Sequence, residues 1–274
     1  MTPADIRLDD QVAFVTAGAN GLGEGIAMSV ARFGAHVAIA DIDQVNGERV
    51  VAAVRALGRE ALFLHVDVTD VEALTAGVDA AFAHFGRIDL LANNAGGSRR
   101  RAFLDHPPRS WRRYIDLNFV SMLTATQAAA RHMIAGGRGG TIVNVASTEG
   151  LRGAPGFAVY AACKAAMISF TRTMALELSG HGIRTHALAP DMIATPGLQP
   201  YYDAASADEL AARDRYIPLG RLGTTDEFGA VVVFLASKMA AYLNGLVLPV
   251  DAGALASSGW TRSPTTGEWN LYHG

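Results

Sequence analysis

Short β-rich runs alternate with longer helical runs along most of the chain, and this alternation restricts the possible folds more than any other feature. The β-rich runs fall at 12–16, 36–41, 61–66, 90–92, 141–145, 184–189 and 246–250. Between them, apolar residues recur at helical spacing over 23–33, 45–57, 71–85, 111–133, 157–179 and 225–237. Such a pattern predicts a parallel sheet of about seven strands with helices on both faces, an α/β fold in three layers. The 274 residues, half of them hydrophobic, suffice for one large core. No repeat and no Pro- or Ser-rich linker divides the chain. One domain is expected over 1–253. An irregular arm over 254–274 should follow, with Trp260, Pro264, Trp269 and Tyr272 in a Ser/Thr/Gly background, packed on the body or on a neighbouring subunit.

Charge and composition exclude several classes. A formal charge of −3 without a Lys/Arg-dense stripe argues against a nucleic-acid surface, and Arg99-Arg100-Arg101 is too short to change that. The single cysteine, Cys163, rules out a disulfide within the chain and suggests a reducing compartment. With no histidine near it in sequence, it reads as a small buried residue rather than a nucleophile. The charged amino terminus has no apolar core and no apolar run approaches ~18 residues, so neither a signal peptide nor a membrane span is expected. A cytoplasmic protein with no metal site follows as the expectation.

The first β-rich run leads into Thr16-Ala17-Gly18-Ala19-Asn20-Gly21-Leu22-Gly23, and a helix opens there. Glycines let the backbone turn tightly and let a pyrophosphate approach, while the helix amino terminus offers unpaired N–H groups and the positive end of its dipole. The spacing Gly18-x-x-Gly21-x-Gly23 differs from the commonest dinucleotide fingerprint. The second run ends at Asp41, about twenty residues on, where a carboxylate can accept hydrogen bonds from an adenosine ribose. A 2′-phosphate there would need a nearby cation, and Asn20 and Ile42 are uncharged; Arg49 and Arg55 are the remaining candidates. NAD is therefore the expected cofactor.

Tyr160-Ala-Ala-Cys-Lys164 lies in a stretch, 157–179, free of proline and glycine. Residues four apart on a helix are neighbours, so the Lys164 ammonium can sit beside the Tyr160 ring and favour the phenolate. At roughly 4 Å and an effective dielectric of about 20, such a pair is worth up to about 4 kcal/mol, enough to bring a phenol from about 10 toward 7. A phenol so tuned exchanges protons with alcohols and carbonyls near neutral pH.

Taken together, these residues resemble the short-chain dehydrogenases/reductases of the classical type over nearly the whole chain. The glycine turn is similar to the family's Thr-Gly-x-x-x-Gly-x-Gly, with Gly21 and Gly23 in register and Ala17 in place of the first glycine. Asp67-Val68 resembles the adenine-contacting pair, and Asn93-Asn94-Ala95-Gly96 the Asn-Asn-Ala-Gly after the fourth strand. Asn118, Ser147, Tyr160 and Lys164 match the catalytic tetrad, and Pro190 with Thr195 the segment that holds the nicotinamide. Asp226 to Gly253 resembles the closing helix, strand and Asp-Gly-Gly. The resemblance implies a Rossmann-like doubly wound sheet and a dinucleotide site formed by Gly18, Gly21, Leu22, Gly23, Asp41, Asp67, Val68, Asn94, Tyr160, Lys164, Ile193 and Thr195. It also implies a homotetramer built on the helices from Trp111 and Phe157, or a homodimer.

In the implied chemistry Tyr160 is the general acid/base, Ser147 orients the substrate oxygen, Lys164 lowers the phenol pKa and holds the nicotinamide ribose, and Asn118 positions a water. The departures are Ala17, expected to keep φ below zero, Asp191 where glycine is usual, and His186 where asparagine is common. Leu151, Phe157, Met192, Leu198, Tyr201 and Tyr202 suggest an apolar wall for a bulky alcohol or ketone, hydroxysteroid-like or acyl-CoA-like. Arg99, Arg100 and Arg101 either meet a substrate anion or form a solvated charge run. A 3-oxoacyl reductase and a sugar or polyol dehydrogenase stay open as alternatives, as does an NAD-binding sensor without turnover.

Overall fold

The computed structural model describes residues 1–271, so Tyr272 lies outside the described residues. Seven strands form one sheet: β1 (Val12–Thr16), β2 (His36–Asp41), β3 (Ala61–His65), β4 (Leu90–Asn93), β5 (Gly140–Val145), β6 (Ile183–Pro190) and β7 (Val247–Val250). They run β3-β2-β1-β4-β5-β6-β7 across the sheet, and every neighbouring pair is parallel. The fold is the expected Rossmann-like three-layer α/β/α arrangement. The winding reverses between β1 and β4, which opens a crevice at their carboxyl ends, where ligands bind in such sheets.

Nine helices accompany the sheet among the described residues up to β7: α1 (Gly21–Arg32), α2 (Gln44–Ala56), α3 (Val71–Phe85), α4 (Pro108–Ile115), α5 (Ser121–Gly136), α6 (Ala158–Glu177), α7 (Gln199–Asp203), α8 (Ala207–Tyr216) and α9 (Thr225–Ala236). Successive side chains of a strand point to opposite faces, so each strand feeds two cores. Val15 and Ile39 meet Ile26, Val50, Phe228 and Val232 on the face covered by α1, α2 and α9. Phe14 and Leu91 meet Leu74, Val78, Ala125 and Ala129 on the face covered by α3 and α5. Each such large side chain, fully buried, contributes about 1.5–3 kcal/mol.

The structure departs from the sequence reading in three places. The single helix expected over 111–133 begins at Pro108 and is broken by a π-helical turn, Asp116–Val120, before α5 continues to Gly136. Two further helices, α7 and α8, follow β6; the Ser206/Glu209 capping box that opens α8 is a readable signal that the apolar-period reading passed over. After Gly253, α10 (Ala254–Ser257) and a two-stranded ribbon of β8 (Thr261–Arg262) and β9 (Trp269–Asn270) replace the irregular arm. The ribbon packs on α8, with the Arg262 guanidinium 5.2 Å from the Trp269 ring centre and donating to the Pro218 carbonyl at 3.2 Å. No helix among the described residues is long and apolar enough to cross a membrane.

His186 lies inside β6, wholly buried, with Nε2 3.2 Å from an Arg184 guanidinium nitrogen. Burial, reinforced by the Arg184 charge, pushes its imidazole down to about 4 from an ordinary 6.5. The folded state thus binds fewer protons than the unfolded chain between these values, and stability that is full above pH 6.5 is lost as pH falls toward 4. His186→Asn should remove about 3 kcal/mol of this acid sensitivity, read as a flatter pH dependence of urea midpoints than in the wild type.

Candidate active site

The glycine turn between β1 and α1 is built so that backbone surface faces the crevice. A Cβ on Gly23 would lie 2.0 Å from the Ala17 carbonyl oxygen and 2.6 Å from Asn94 Nδ2, and one on Gly18 would lie 2.7 Å from Ile39 Cγ2. Gly21 takes φ +56°. Ala17 takes φ +51°, against the expectation that it stays below zero. The chain keeps the left-handed turn even where it lacks glycine, because neighbouring bonds hold it there. Asn94 Nδ2 donates to the carbonyls of Thr16 and Ala17 at 3.1 and 3.0 Å, and Thr16 Oγ1 accepts from the N–H groups of Asn94 and Ala95 at 3.0 Å. Asn20, at the N-cap of α1, makes no side-chain cap bond, so the helix start keeps the amides and dipole end that suit a phosphate.

The Asp41 carboxylate closes this turn on the β2 side, accepting from Ala19 N at 2.9 Å and Asp43 N at 3.0 Å. The two arginines that would suit a 2′-phosphate already have partners, although Arg49 also reaches the Ala19 carbonyl of the turn itself at 3.4 Å. Arg49 is bidentate to Glu24 at 2.7 and 2.8 Å, and Arg55 donates to the Ala61 carbonyl at 2.8 Å. Asp67 accepts from the backbone and hydroxyl of Thr69, which holds its carboxyl below the usual range, and Val68 is buried beside it. Leu22 packs on the α1-side core. Beyond β6, Ile193 is buried and bridges to Gly223, and Thr195 lies 3.6 Å from the Cβ position of Gly21, so this segment covers the glycine turn.

Ser147, Tyr160, Lys164 and Asn118 converge next to the turn. Lys164 is buried in α6 and donates to the Val145 carbonyl at the end of β5 at 2.7 Å. Its Nζ stands 5.6 Å from the Tyr160 ring centre. Asn118, in the π turn and fully buried, exchanges two bonds with the Gly97 backbone at 2.9 and 3.0 Å and donates to the Tyr114 carbonyl at 2.9 Å. A Cβ on Gly96 would lie 2.8 Å from Asn118 Oδ1 and 3.0 Å from Lys164 Nζ, so only glycine lets the chain pass between them. Ser147, just past β5, accepts from Glu149 N at 3.1 Å.

The electrostatics differ from the simple ion-pair expectation. Burial raises the Tyr160 phenol above its ordinary 10; the Ser147 hydroxyl pulls it back and the Glu149 charge adds to the rise. Burial also holds the Lys164 ammonium down to about 8. Desolvation of both groups outweighs their attraction, since Nζ lies over the ring and is bonded to a neutral carbonyl. Cys163 is buried, and burial pushes its thiol up.

A polar cluster that the sequence reading did not assemble borders the site. Arg152 donates to Glu149 at 2.7 Å and to Asp191 at 3.3 Å, and it also bonds the Tyr216 hydroxyl, which donates to Asp191 at 2.8 Å. These residues, with Phe157 and Met192, line a cavity of about 630 Å³. The apolar wall expected from sequence is thus only partly present. Leu151 turns into the core cluster around Met122 and Met167, Tyr201 is exposed, and Tyr202 lies under the Arg213 guanidinium at 5.0 Å. Leu198 is half-buried at the α7 N-cap and is not part of the cavity lining. Arg99, Arg100 and Arg101 are exposed, and the Arg101 N–H donates to the Gly156 carbonyl at 2.9 Å.

A parallel sheet with a glycine turn at its winding reversal and a Ser, Tyr, Lys and Asn group beside it defines a nucleotide-binding oxidoreductase fold. Residues 16–254 match the family model described as enoyl-(acyl carrier protein) reductase. The 2-dehydro-3-deoxy-D-gluconate 5-dehydrogenase of Escherichia coli (strain K12) is 38% identical over 91% of this chain and 97% of its own. Cyclopentanol dehydrogenase of Comamonas sp. (strain NCIMB 9872) is 38% identical over 92% of this chain and 99% of its own. A solved 7α-hydroxysteroid dehydrogenase, complexed with NADH and 7-oxoglycochenodeoxycholic acid, superposes with a TM-score of 0.86 at 31% identity, covering 92% of this chain and 97% of that one. The chain belongs to the short-chain dehydrogenase/reductase family.

Two measurements follow from this geometry. Ala17→Gly should relieve the positive φ and stabilise the fold by about 1 kcal/mol, a rise of roughly 2–4 °C in Tm. The unfolded chain holds more protons at Lys164 than the folded one between pH 8 and 10.5, so the Lys164 contribution to stability should rise with pH in that window, against the opposite trend of Cys163 and Tyr160. The gain is about 2 kcal/mol between about pH 7.5 and 9.5, and Lys164→Met should abolish it in denaturant titrations.

Proposed function

We propose that this protein is an NAD(H)-dependent oxidoreductase that interconverts a secondary alcohol and its ketone. The observation that carries the reading is the convergence of Tyr160, Ser147 and Lys164 at the carboxyl end of β5, beside a backbone turn that leaves no room for a Cβ at Gly18 and Gly23. Bound nicotinamide supplies the hydride acceptor or donor. Gly18, Gly21, Leu22, Gly23, Asp41, Asp67, Val68, Asn94, Ile193 and Thr195 are the residues that would hold the dinucleotide, with Lys164 on its ribose.

In this reading Tyr160 takes the alcohol proton in oxidation and protonates the carbonyl oxygen in reduction. Ser147 donates to the same oxygen and holds it against the phenol as charge develops. Lys164, anchored on Val145, favours loss of the phenol proton once the site is filled, and its own proton is labile near pH 8. Asn118, held by Gly97 and Tyr114, fixes the π turn beside Lys164 and orders the outlet for protons. The preference for NAD rests on Asp41 and on the engagement of Arg49 with Glu24. The assembled tetrad favours an enzyme over a sensor that only binds NAD. An apolar cleft between α4 and α6, lined by Trp111, Ile115, Phe119 and Val159, supports assembly as a homotetramer on these helices.

Tyr160→Phe should lower kcat by at least about a thousandfold while calorimetric NADH affinity stays within a few-fold of the wild type. NAD should be preferred over NADP in kcat/KM by at least about tenfold, and Asp41→Ala should erase most of that ratio. Substantial turnover by the phenylalanine variant, or a native preference for NADP, would refute the respective assignments.

A further inference from the structure

We infer that the substrate is an uncharged, polyhydroxylated alcohol or its ketone, whose hydroxyl groups are read by Glu149, Arg152, Asp191 and Tyr216. This deepens the oxidoreductase reading and rests on it; the oxidation is the one proposed above and needs no further reactant.

The four residues come from three segments, the turn after β5, the end of β6 and the end of α8, and they meet in one hydrogen-bonded cluster. Glu149 follows Ser147 by two residues, and its N–H is bonded to the Ser147 hydroxyl. The cluster therefore begins one turn from the group proposed to hold the reacting oxygen. Phe157 and Met192 form the apolar part of the same cavity, whose roughly 630 Å³ fits a small molecule.

Charge selects the ligand class. Glu149 and Asp191 share one guanidinium, so the cluster carries a net negative charge, while Arg213 is met by its own Asp214 at 2.7 Å. A carboxylate or phosphate on the substrate would face two carboxylates, with both cations of the lining, Arg152 and Arg213, already paired. An apolar substrate would cover the side chain of Asp191, only 9% exposed, and return no hydrogen bond.

Hydroxyl groups fit both demands. Both bonds to Asp191 fall on Oδ2, and the bond to Glu149 falls on Oε1; among the described residues, Oδ1 and Oε2 accept none. Both residues line the cavity, so a hydroxyl donor bound there can satisfy these acceptors. The Tyr216 proton is already given to Asp191, so Arg152, which has N–H groups beyond its three bonds, is the donor for the hydroxyl's own lone pairs.

A matched ring series tests this: cyclohexanol, the 1,2-, 1,3- and 1,4-cyclohexanediols, myo-inositol, and the hydroxycyclohexanecarboxylates. NADH formation is followed for each, and binding of the same compounds to the enzyme–NADH complex is followed by calorimetry. At least one diol or inositol should exceed cyclohexanol in kcat/KM by about tenfold or more, the value of a hydrogen bond to a charged group. No carboxylate should exceed cyclohexanol. Asp191→Asn and Tyr216→Phe should each shrink the diol-to-cyclohexanol ratio several-fold; the ratio is taken within one protein preparation, so partial unfolding cancels. Equal or better use of cyclohexanol, preference for a carboxylate, or neither turnover nor binding of any polyhydroxylated member would overturn the inference. Oxidation of cyclohexanol without a diol preference would do so while leaving the reaction class intact. Failure of every alcohol in the series, and of cyclohexanone with NADH, to change absorbance would instead remove the reaction class.

Discussion

A buried ammonium bonded to a strand-end carbonyl is the interaction on which the candidate site depends. Lys164 sits in the second turn of α6, out of water, and its bond to Val145 fixes that helix against the carboxyl end of β5. Burying such a group without a partner would cost several kcal/mol, so the helix has one rotation in which the contact is met. That rotation also decides where Tyr160 stands, because it lies one turn back along the same face. Ser147 follows β5 directly, so the strand end that holds the lysine also delivers the hydroxyl. The π turn at Asn118 completes the arrangement: a widened helical turn sends its amide to Gly97 and leaves Gly96 as the spacer between Asn118 Oδ1 and Lys164 Nζ.

The glycine turn works by exclusion. Two of its positions cannot carry a Cβ without meeting backbone or a packed side chain, so the backbone itself becomes the ligand-facing surface. Asn94 and Thr16 lock β4 to β1 at the winding reversal, and this stitching is strong enough to hold Ala17 in a conformation that alanine disfavours. Local strain is thus accepted in return for a turn whose shape is set by its neighbours.

The cluster of Glu149, Arg152, Asp191 and Tyr216 changes the character of the pocket from that suggested by the apolar residues alone. Tyr216 is held protonated, pushed up to about 12 by burial and by Asp191 although Arg152 pulls it back. Burial alone would lower the Arg152 charge, but its bonds to Glu149 and Tyr216 outweigh that and keep it cationic. Asp191, raised by burial and pulled back by Tyr216 and Arg152, stands where a glycine is usual and joins α8 to the sheet. The ribbon after Gly253 packs on the same helix.

Much of this was legible in the chain itself. Alternating β-rich and helical runs are a local record of strands buried on both faces, and all seven strands were placed within a residue or two. Gly18, Gly21 and Gly23, Asp41, and the Tyr160–Lys164 spacing were readable because each is a short-range pattern tied to one turn or one helix face. Tertiary structure alone decided what depends on groups far apart in sequence: the sign of φ at Ala17, the desolvation that raises the Tyr160 phenol, and the meeting of Glu149 with Tyr216 across 67 positions of the chain. The reason is physical: hydrogen-bond geometry and periodicity act over a few residues, whereas burial and charge act through space and exist only once the layers have closed.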